Sequence, residues 1–429
     1  MKQKKLNFWD SIAINVGVII GVGIFRTPGA IAKYVDSAPL ILLTWALGGL
    51  IALVGVFCYA ELAFAYPKTG GTYVYLRESF GKPVGFLFGW AEFSVLRAGS
   101  IAGVAYILVD YLGKFLPFAA QHEKISAIAA IWIFTFINIR GLHLGAAVQN
   151  ILTLLKIAAI ALIGGTIFSK LGFIHFDSVF FHSVNSHNFS GMAPALIPVL
   201  WTYGGWHQST FISGEFHDAK KDLPKSLILG ILIVGGIYLF LNAAYLTALT
   251  PAQTAGTRTI ASDILGTLFG TAGKTAITIA VLISASGALN STILTGGCIP
   301  FAVAGDYPRL SWVAHLDERF QTPLRSFMIN GVWASVLVLW GNFDQLLFFF
   351  AFTNWLFFSL TGLSVFKIVS ARPSRRPALN LGYPWIPVIF IFSCAVLCVI
   401  TIFTAPWESL FGALLLLTGL PVYYFCSKK

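Results

Sequence analysis

Two apolar stretches hold the backbone with the greatest capacity to bind a polar ligand. The first reads Gly17-Val18-Ile19-Ile20-Gly21-Val22-Gly23-Ile24-Phe25 and is followed by Pro28. The second holds Pro194 and Pro198 ahead of Trp201-Thr202-Tyr203-Gly204-Gly205-Trp206. Glycine weakens a helix and proline removes a backbone donor, so both stretches are expected to unwind locally. Unwound main chain at bilayer depth is tolerated only where it lines a cavity or is buried in protein. Small-residue packing faces are the competing explanation for either stretch taken alone. The half-helix that starts after the first break presents the amides of Gly21, Val22 and Gly23, whose partial positive charge suits a carboxylate. The half-helices that end at the breaks present carbonyls near Ile19 and Trp201, with Gly204 close by, and these suit an ammonium group. A ligand carrying both groups on one carbon is an α-amino acid, and such a site needs no acidic side chain to hold the amine.

The elements that position these stretches must be membrane helices. Of 429 residues, 57% are hydrophobic and only 10% charged, with a mean hydropathy of +0.80. Too little charge remains to cover a water-exposed surface, and the 41 glycines and 12 tryptophans fit close helix packing and bilayer interfaces. Twelve spans are expected near 9–34, 39–65, 83–112, 125–141, 146–168, 192–214, 226–249, 271–296, 326–341, 343–367, 384–404 and 407–426, the ninth and tenth nearly merging at Gly341-Asn342. The interrupted spans are the first and sixth. An offset of five spans inverts topology, and matching interruptions in inverted halves point to a transporter's central site.

With the N-terminus inside, nineteen of the 28 basic residues fall on the cytoplasmic side and six on the outer side; Arg26, Arg97 and Lys156 lie within spans. Both termini are therefore expected to be cytoplasmic. The formal charge of +11 belongs to this asymmetry and offers no soluble basic face for nucleic acid. Met1 to Asp10 is a short lead into a retained first span, without the small-residue cleavage site of a signal peptide. Cys58, Cys298, Cys394, Cys398 and Cys426 fall in apolar spans or inner loops, so neither an outer disulfide nor a metal site is expected, and no cofactor is. No nucleotide-binding loop of the GxxxxGK[ST] kind occurs, which argues against ATP-driven transport.

These stretches, with others, resemble the L-type amino acid transporter family of the amino acid–polyamine–organocation superfamily. Ile19-Ile20-Gly21-Val22-Gly23-Ile24-Phe25 resembles its IIGxGIF. Tyr59-Ala60-Glu61-Leu62 and Gly70-Gly71-Thr72-Tyr73-Val74-Tyr75 resemble YAEL and GGxYxY, Trp90-Ala91-Glu92 with Arg97 resembles WxE…RP, and Tyr203-Gly204-Gly205-Trp206 resembles YGGW. The match covers most of the chain and is weakest after about residue 330. It implies an all-α, LeuT-like fold: a five-plus-five inverted repeat over 1–382 (repeat one about 9–168, repeat two about 192–367) and two further helices over 383–429. It further implies alternating access, with the amine on carbonyls of Ile19, Trp201 and Gly204, the carboxylate on amides around Gly21, Val22 and Gly23, and Trp201 as an aromatic gate. Val22 stands where a small polar residue is frequent, Ala98 where the motif has proline, Thr202 where alanine is frequent. The outer cysteine that links animal members to a glycoprotein subunit is missing from Lys114 to Lys124, so no such partner is expected.

Ionisable groups inside the membrane need a reason. Lysine mid-span costs about 2.5–3.5 kcal/mol, and Lys156 either snorkels or replaces, as in the family, the sodium ion of sodium-coupled relatives. Ser286 and Asn290 are four apart on one face that could turn toward span 1 and Lys156, although hydroxyl and amide bonds to helix backbone explain them equally well. Glu92 and Arg97 read as a structural ion pair, Glu215 as part of an inner gate, and the role of Arg26 is open. The reading is a sodium-independent amino acid exchanger or proton-coupled importer in a plasma membrane, of the bacterial inner-membrane kind. A polyamine or cationic amino acid antiporter of the same fold is the first rival and a non-transporting sensor the second. An enzyme would need a His/Asp/Glu or Ser/His cluster at membrane depth, and the sequence offers none.

Overall fold

The computed structural model describes residues 8–68, 70–140, 158, 160–170, 189–317, 319–320, 322–371, 377–379 and 381–427. Every regular element among them is helical. Among the described residues, seven helices are long and apolar enough to cross a membrane: Ala38–Ala65, Lys82–Leu112, Ala219–Ala248, Ile260–Gly305, Phe343–Ala371, Trp385–Thr404 and Pro406–Ser427. Shorter apolar helices, Ile160–Lys170, Phe189–Thr202 and Leu324–Trp340, stand beside them. The architecture is an all-α, multi-pass membrane bundle.

Local chemistry explains the boundaries. Pro39, Pro83, Pro251 and Pro406 lie in the first turns of their helices, where the missing amide costs nothing. Asp218 caps Ala219–Ala248 by accepting from the Lys221 amide. The near-merged pair at Gly341-Asn342 is separated cleanly. Asn342 Oδ1 accepts from the Gln345 amide and Gln345 Oε1 from the Asn342 amide, both at 3.0 Å, while Tyr106 Oη donates to the carbonyls of Val338 and Gly341. The expected span 271–296 is part of a longer element, Ile260–Gly305, which bends at Gly270 with φ +63°.

The expected first and sixth spans are both interrupted. The helix Phe8–Ile19 stops, a 3-10 turn covers Gly23–Phe25, and helix resumes at Thr27–Ala32. Phe189–Thr202 contains Pro194 and Pro198, ends at Thr202, and continues after a turn as a 3-10 segment, Gln208–Glu215. The broad face of Ala219–Ala248 packs against Ala38–Ala65 and Phe8–Ile19, bracing the first break from one side.

Gly70 and Gly71 of the GGxYxY stretch have φ of +123° and +47°, and the Gly70 amide donates to the Phe211 carbonyl at 3.0 Å. A Cβ on Gly71 would lie 2.5 Å from Thr210 Oγ1, so the loop touches the 3-10 half of the sixth span backbone to backbone. The buried Glu61 carboxylate of YAEL accepts from the amides of Ala378 and Leu379, tying down the segment before Trp385–Thr404.

Candidate functional site

A helix that stops inside a bundle leaves donors and acceptors that must be accounted for one by one. At the first break Ile19 O accepts from the Gly21 amide (2.7 Å) and from Tyr238 Oη (2.8 Å). Gly23 O accepts from the Arg26 amide and Thr27 Oγ1, and Phe25 O from Tyr111 Oη. Val22 O accepts from the Phe25 amide. Among the described residues the amides of Val22, Gly23 and Ile24 have no such partner. At the second break Trp201 O accepts from the Gly204 amide at 2.9 Å, and Tyr238 Oη lies 3.2 Å from Thr202 O. The two breaks are joined directly, because Thr27 Oγ1 and Thr202 Oγ1 are 2.8 Å apart.

These contacts refine the expected roles. Ile19 O already has two donors, and the Gly21 amide is spent on it. The unspent amides are Val22, Gly23 and Ile24, one residue further along than expected. Gly23 is required by proximity: a Cβ there would sit 3.0 Å from the Trp201 ring and 3.1 Å from the Thr202 side chain. Gly205 is required by conformation, with φ +98° and Val18 Cγ1 2.9 Å from where its Cβ would be. Gly205→Ala is therefore expected to destabilise the protein by about 1–3 kcal/mol. A Cβ on Gly21 would meet its nearest atom only at 3.9 Å, so Gly21→Ala should shift the melting temperature of the detergent-purified protein much less.

A cavity of about 340 Å³ lies between the breaks. All six backbone positions singled out from the sequence (Ile19, Gly21, Val22, Gly23, Trp201 and Gly204) line it. Glu92 and Arg97 line it too, joined by a 3.3 Å contact from Arg97 Nη2 to Glu92 Oε2. The wall from Ile260–Gly305 is Ala288, Ser291, Thr292, Leu294 and Thr295. Ser286 is not in that wall, and Asn290 turns away to accept from Asn138 Nδ2 at 2.7 Å. Lys156 lies outside the described residues, and so does the side chain of Glu215, the last residue of the 3-10 segment.

Toward the end of the bundle that carries Phe8 the cavity reaches Gly17, His207 and Gln208. The opposite end is shut. The half-buried Trp201 packs edge-on against Phe343, ring centroids 5.6 Å apart, and the Arg26 guanidinium lies 4.8 Å over Phe343. Arg26, only 4% exposed, donates through Nε to Asp110 Oδ2 at 2.9 Å. Arg258 bridges Asp110 and Glu123, at 3.6 and 2.6 Å. Lys33–Asp344 and Lys114–Asp263 are ion paired as well. Asp110, Tyr238, His207 and Phe343 drew no attention in the sequence. Tyr238 alone had a signal: a phenol deep in an apolar helix must find a partner for its hydroxyl.

In a comparison with known proteins, a family model described as amino acid permease matches residues 6–420. The chain belongs to the amino acid permease family. It is a secondary transporter of amino acids in the amino acid–polyamine–organocation superfamily, and not an enzyme. Relatives of this permease include the human b(0,+)-type amino acid transporter 1, 30% identical over 98% of this chain and 88% of the relative. The serine/threonine exchanger SteT of Bacillus subtilis (strain 168) is 28% identical over 100% of this chain and 98% of its own length. The human Asc-type amino acid transporter 1 is 26% identical over 98% and 82%. The permease thus resembles b(0,+)- and Asc-type transporters, where its motifs had pointed to an L-type placement.

Proposed function

We propose that this permease grips the zwitterion of an α-amino acid at the two breaks and carries it by sodium-independent exchange or proton coupling. One observation carries the reading: the unspent amides of Val22 and Gly23, with that of Ile24 next in the chain, lie at the cavity that Trp201 and Gly204 also line. The amides attract the carboxylate. Trp201 O and Gly204 O keep lone pairs for the ammonium. Ile19 O joins them when the Tyr238 hydroxyl, which has one proton for two carbonyls, turns to Thr202 O.

The interruptions support a twelve-span, five-plus-five inverted repeat, with repeats near 9–168 and 192–367 and two added helices over 383–429. In the L-type pattern Lys156 takes the place of a sodium ion. Both termini face the cytoplasm of a bacterial cell, so the cavity faces inward in this conformation while Arg26–Asp110 closes the outside. Purified protein in liposomes should take up labelled amino acid when the lumen holds unlabelled amino acid. A sodium gradient should add nothing. Uptake that collapses without sodium, with exchange absent, would contradict the proposal.

The exchange activity named for the serine/threonine relative fits this reading. The cationic rival is disfavoured by Arg97, which neutralises the cavity's Glu92.

A further inference from the structure

The wall of the cavity away from the breaks contains an irregular turn that something must hold in place. Glu92–Arg97 is a single π-helical turn inside the otherwise α-helical span Lys82–Leu112. On an α-helix, residues five apart point about 140° away from each other. The i→i+5 bonding of a π turn brings them to one face, and isolated π turns recur at functional sites. This turn lets Glu92 and Arg97 both line the cavity and meet, Arg97 Nη2 donating to Glu92 Oε2 at 3.3 Å.

The turn also redirects backbone bonds. In an α-helix the Ala98 amide would donate to the Ser94 carbonyl, but here it goes to Val95 O. The Ser94 carbonyl instead accepts from the indole Nε1 of Trp333 at 2.6 Å, an outside donor entering the interrupted ladder. Trp333 is carried by Leu324–Trp340, none of whose described residues lines the cavity. That helix is fixed against Ile260–Gly305. Ser326 Oγ donates to the Gly297 carbonyl, and a Cβ on Gly297 would collide with the Phe327 ring. A Cβ on the neighbouring Gly296 would collide with Asn330 Nδ2 and sit 2.7 Å from Arg97 Cγ, so three helices meet there. Trp333 thus reaches the turn from a firm support behind the wall that faces substrate.

We propose that Trp333 is the positioning residue that keeps Arg97 against Glu92, and that it thereby excludes cationic side chains from the cavity. This rests on the transport reading above. With the pair in place that wall carries no net charge, and a lysine-like side chain would bring an unpaired cation into a buried place. Without the indole N–H, the Ser94 carbonyl is satisfied only if the Ala98 amide returns to it, which is the α-helical arrangement. The π form loses the partner that favours it, and Arg97 is no longer held against Glu92. Glu92 then stands on the wall as an uncompensated carboxylate, a place for an ammonium or guanidinium group.

The test is exchange of labelled alanine and labelled lysine in proteoliposomes holding the full chain. In the wild type, kcat/KM for lysine should lie at least about tenfold below that for alanine. Trp333→Phe should raise the lysine-to-alanine ratio by about fivefold or more. The double variant Trp333→Phe/Glu92→Gln should return the ratio to the wild-type value, because the carboxylate that attracts lysine is gone. A merely structural indole would lower both substrates together and leave the ratio alone. Replacing Trp333 by 3-benzothienylalanine keeps the shape of the ring system and removes only the N–H, so it gives the same readout if Trp333→Phe folds poorly. Lysine exchanged as well as alanine by the wild type would overturn the positioning role alone. So would an unchanged ratio in the Trp333 variants, or a lysine gain that survives Glu92→Gln. Absence of alanine exchange in the wild type would overturn the transport reading and this inference with it.

Discussion

Asp110→Ala is expected to open the end of the transporter that Arg26 now closes. Arg26 is buried, its Nε is held by Asp110 at 2.9 Å, and its other neighbour is the face of Phe343. Removing one partner of a buried ion pair typically costs about 3–5 kcal/mol, because the remaining charge stays desolvated. Water can reach Arg26 if this end opens, so the cost falls on the closed conformation and the equilibrium moves by roughly a hundredfold or more. The measurement is labelling of Val104→Cys, a cavity-wall position, by an impermeant thiol reagent applied from the Arg26 side in a background without native cysteines. Labelling should become at least tenfold faster with Asp110→Ala. The double variant Arg26→Met/Asp110→Leu, which replaces the pair by apolar groups, should return it toward the original rate. Unchanged labelling in the single variant would show that this ion pair does not hold the gate.

Tyr238→Phe is the second large effect. The phenol oxygen lies 2.8 Å from Ile19 O and 3.2 Å from Thr202 O, so one hydroxyl serves the carbonyl ends of both broken helices. Without the hydroxyl Ile19 O keeps only the Gly21 amide and Thr202 O loses this donor; a buried carbonyl left unmet costs about 1–3 kcal/mol, or roughly 5- to 150-fold. Phenylalanine keeps the ring, which packs edge-on against Trp45 with centroids 5.5 Å apart, so folding should survive. The loss should appear in kcat/KM and be nearly uniform across amino acids, because the hydroxyl acts on main chain that meets groups common to all of them. A loss confined to particular side chains would assign Tyr238 to specificity instead.

Glycine and proline made the two breaks legible, because their backbone chemistry is a property of single residues. The IIGxGIF and YGGW stretches led directly to the cavity wall at Ile19, Gly21, Val22, Gly23, Trp201 and Gly204. What those atoms are spent on was not legible. The Gly21 amide folds back onto Ile19 O, and that bond depends on how the turn closes. Ser286 was placed on a plausible face, but Ile260–Gly305 carries polar residues on several faces, and packing turned the Ala288–Ser291–Thr295 stripe inward. Glu92 and Arg97 were recognised as a pair, yet their common orientation requires a π turn that no α-helical spacing announces. Asp110 and Arg26 are 84 positions apart, and their pairing is purely tertiary.

The most direct test of the account is competition against labelled alanine by two truncated analogues, ethylamine without the carboxylate and propionate without the amine. Main chain at residues 22–24 and 201–204 that holds both poles predicts that each analogue competes at least a hundredfold more weakly than alanine. Ethylamine competing as well as alanine would contradict the proposed grip on the carboxylate and leave the amides of Val22, Gly23 and Ile24 without a ligand.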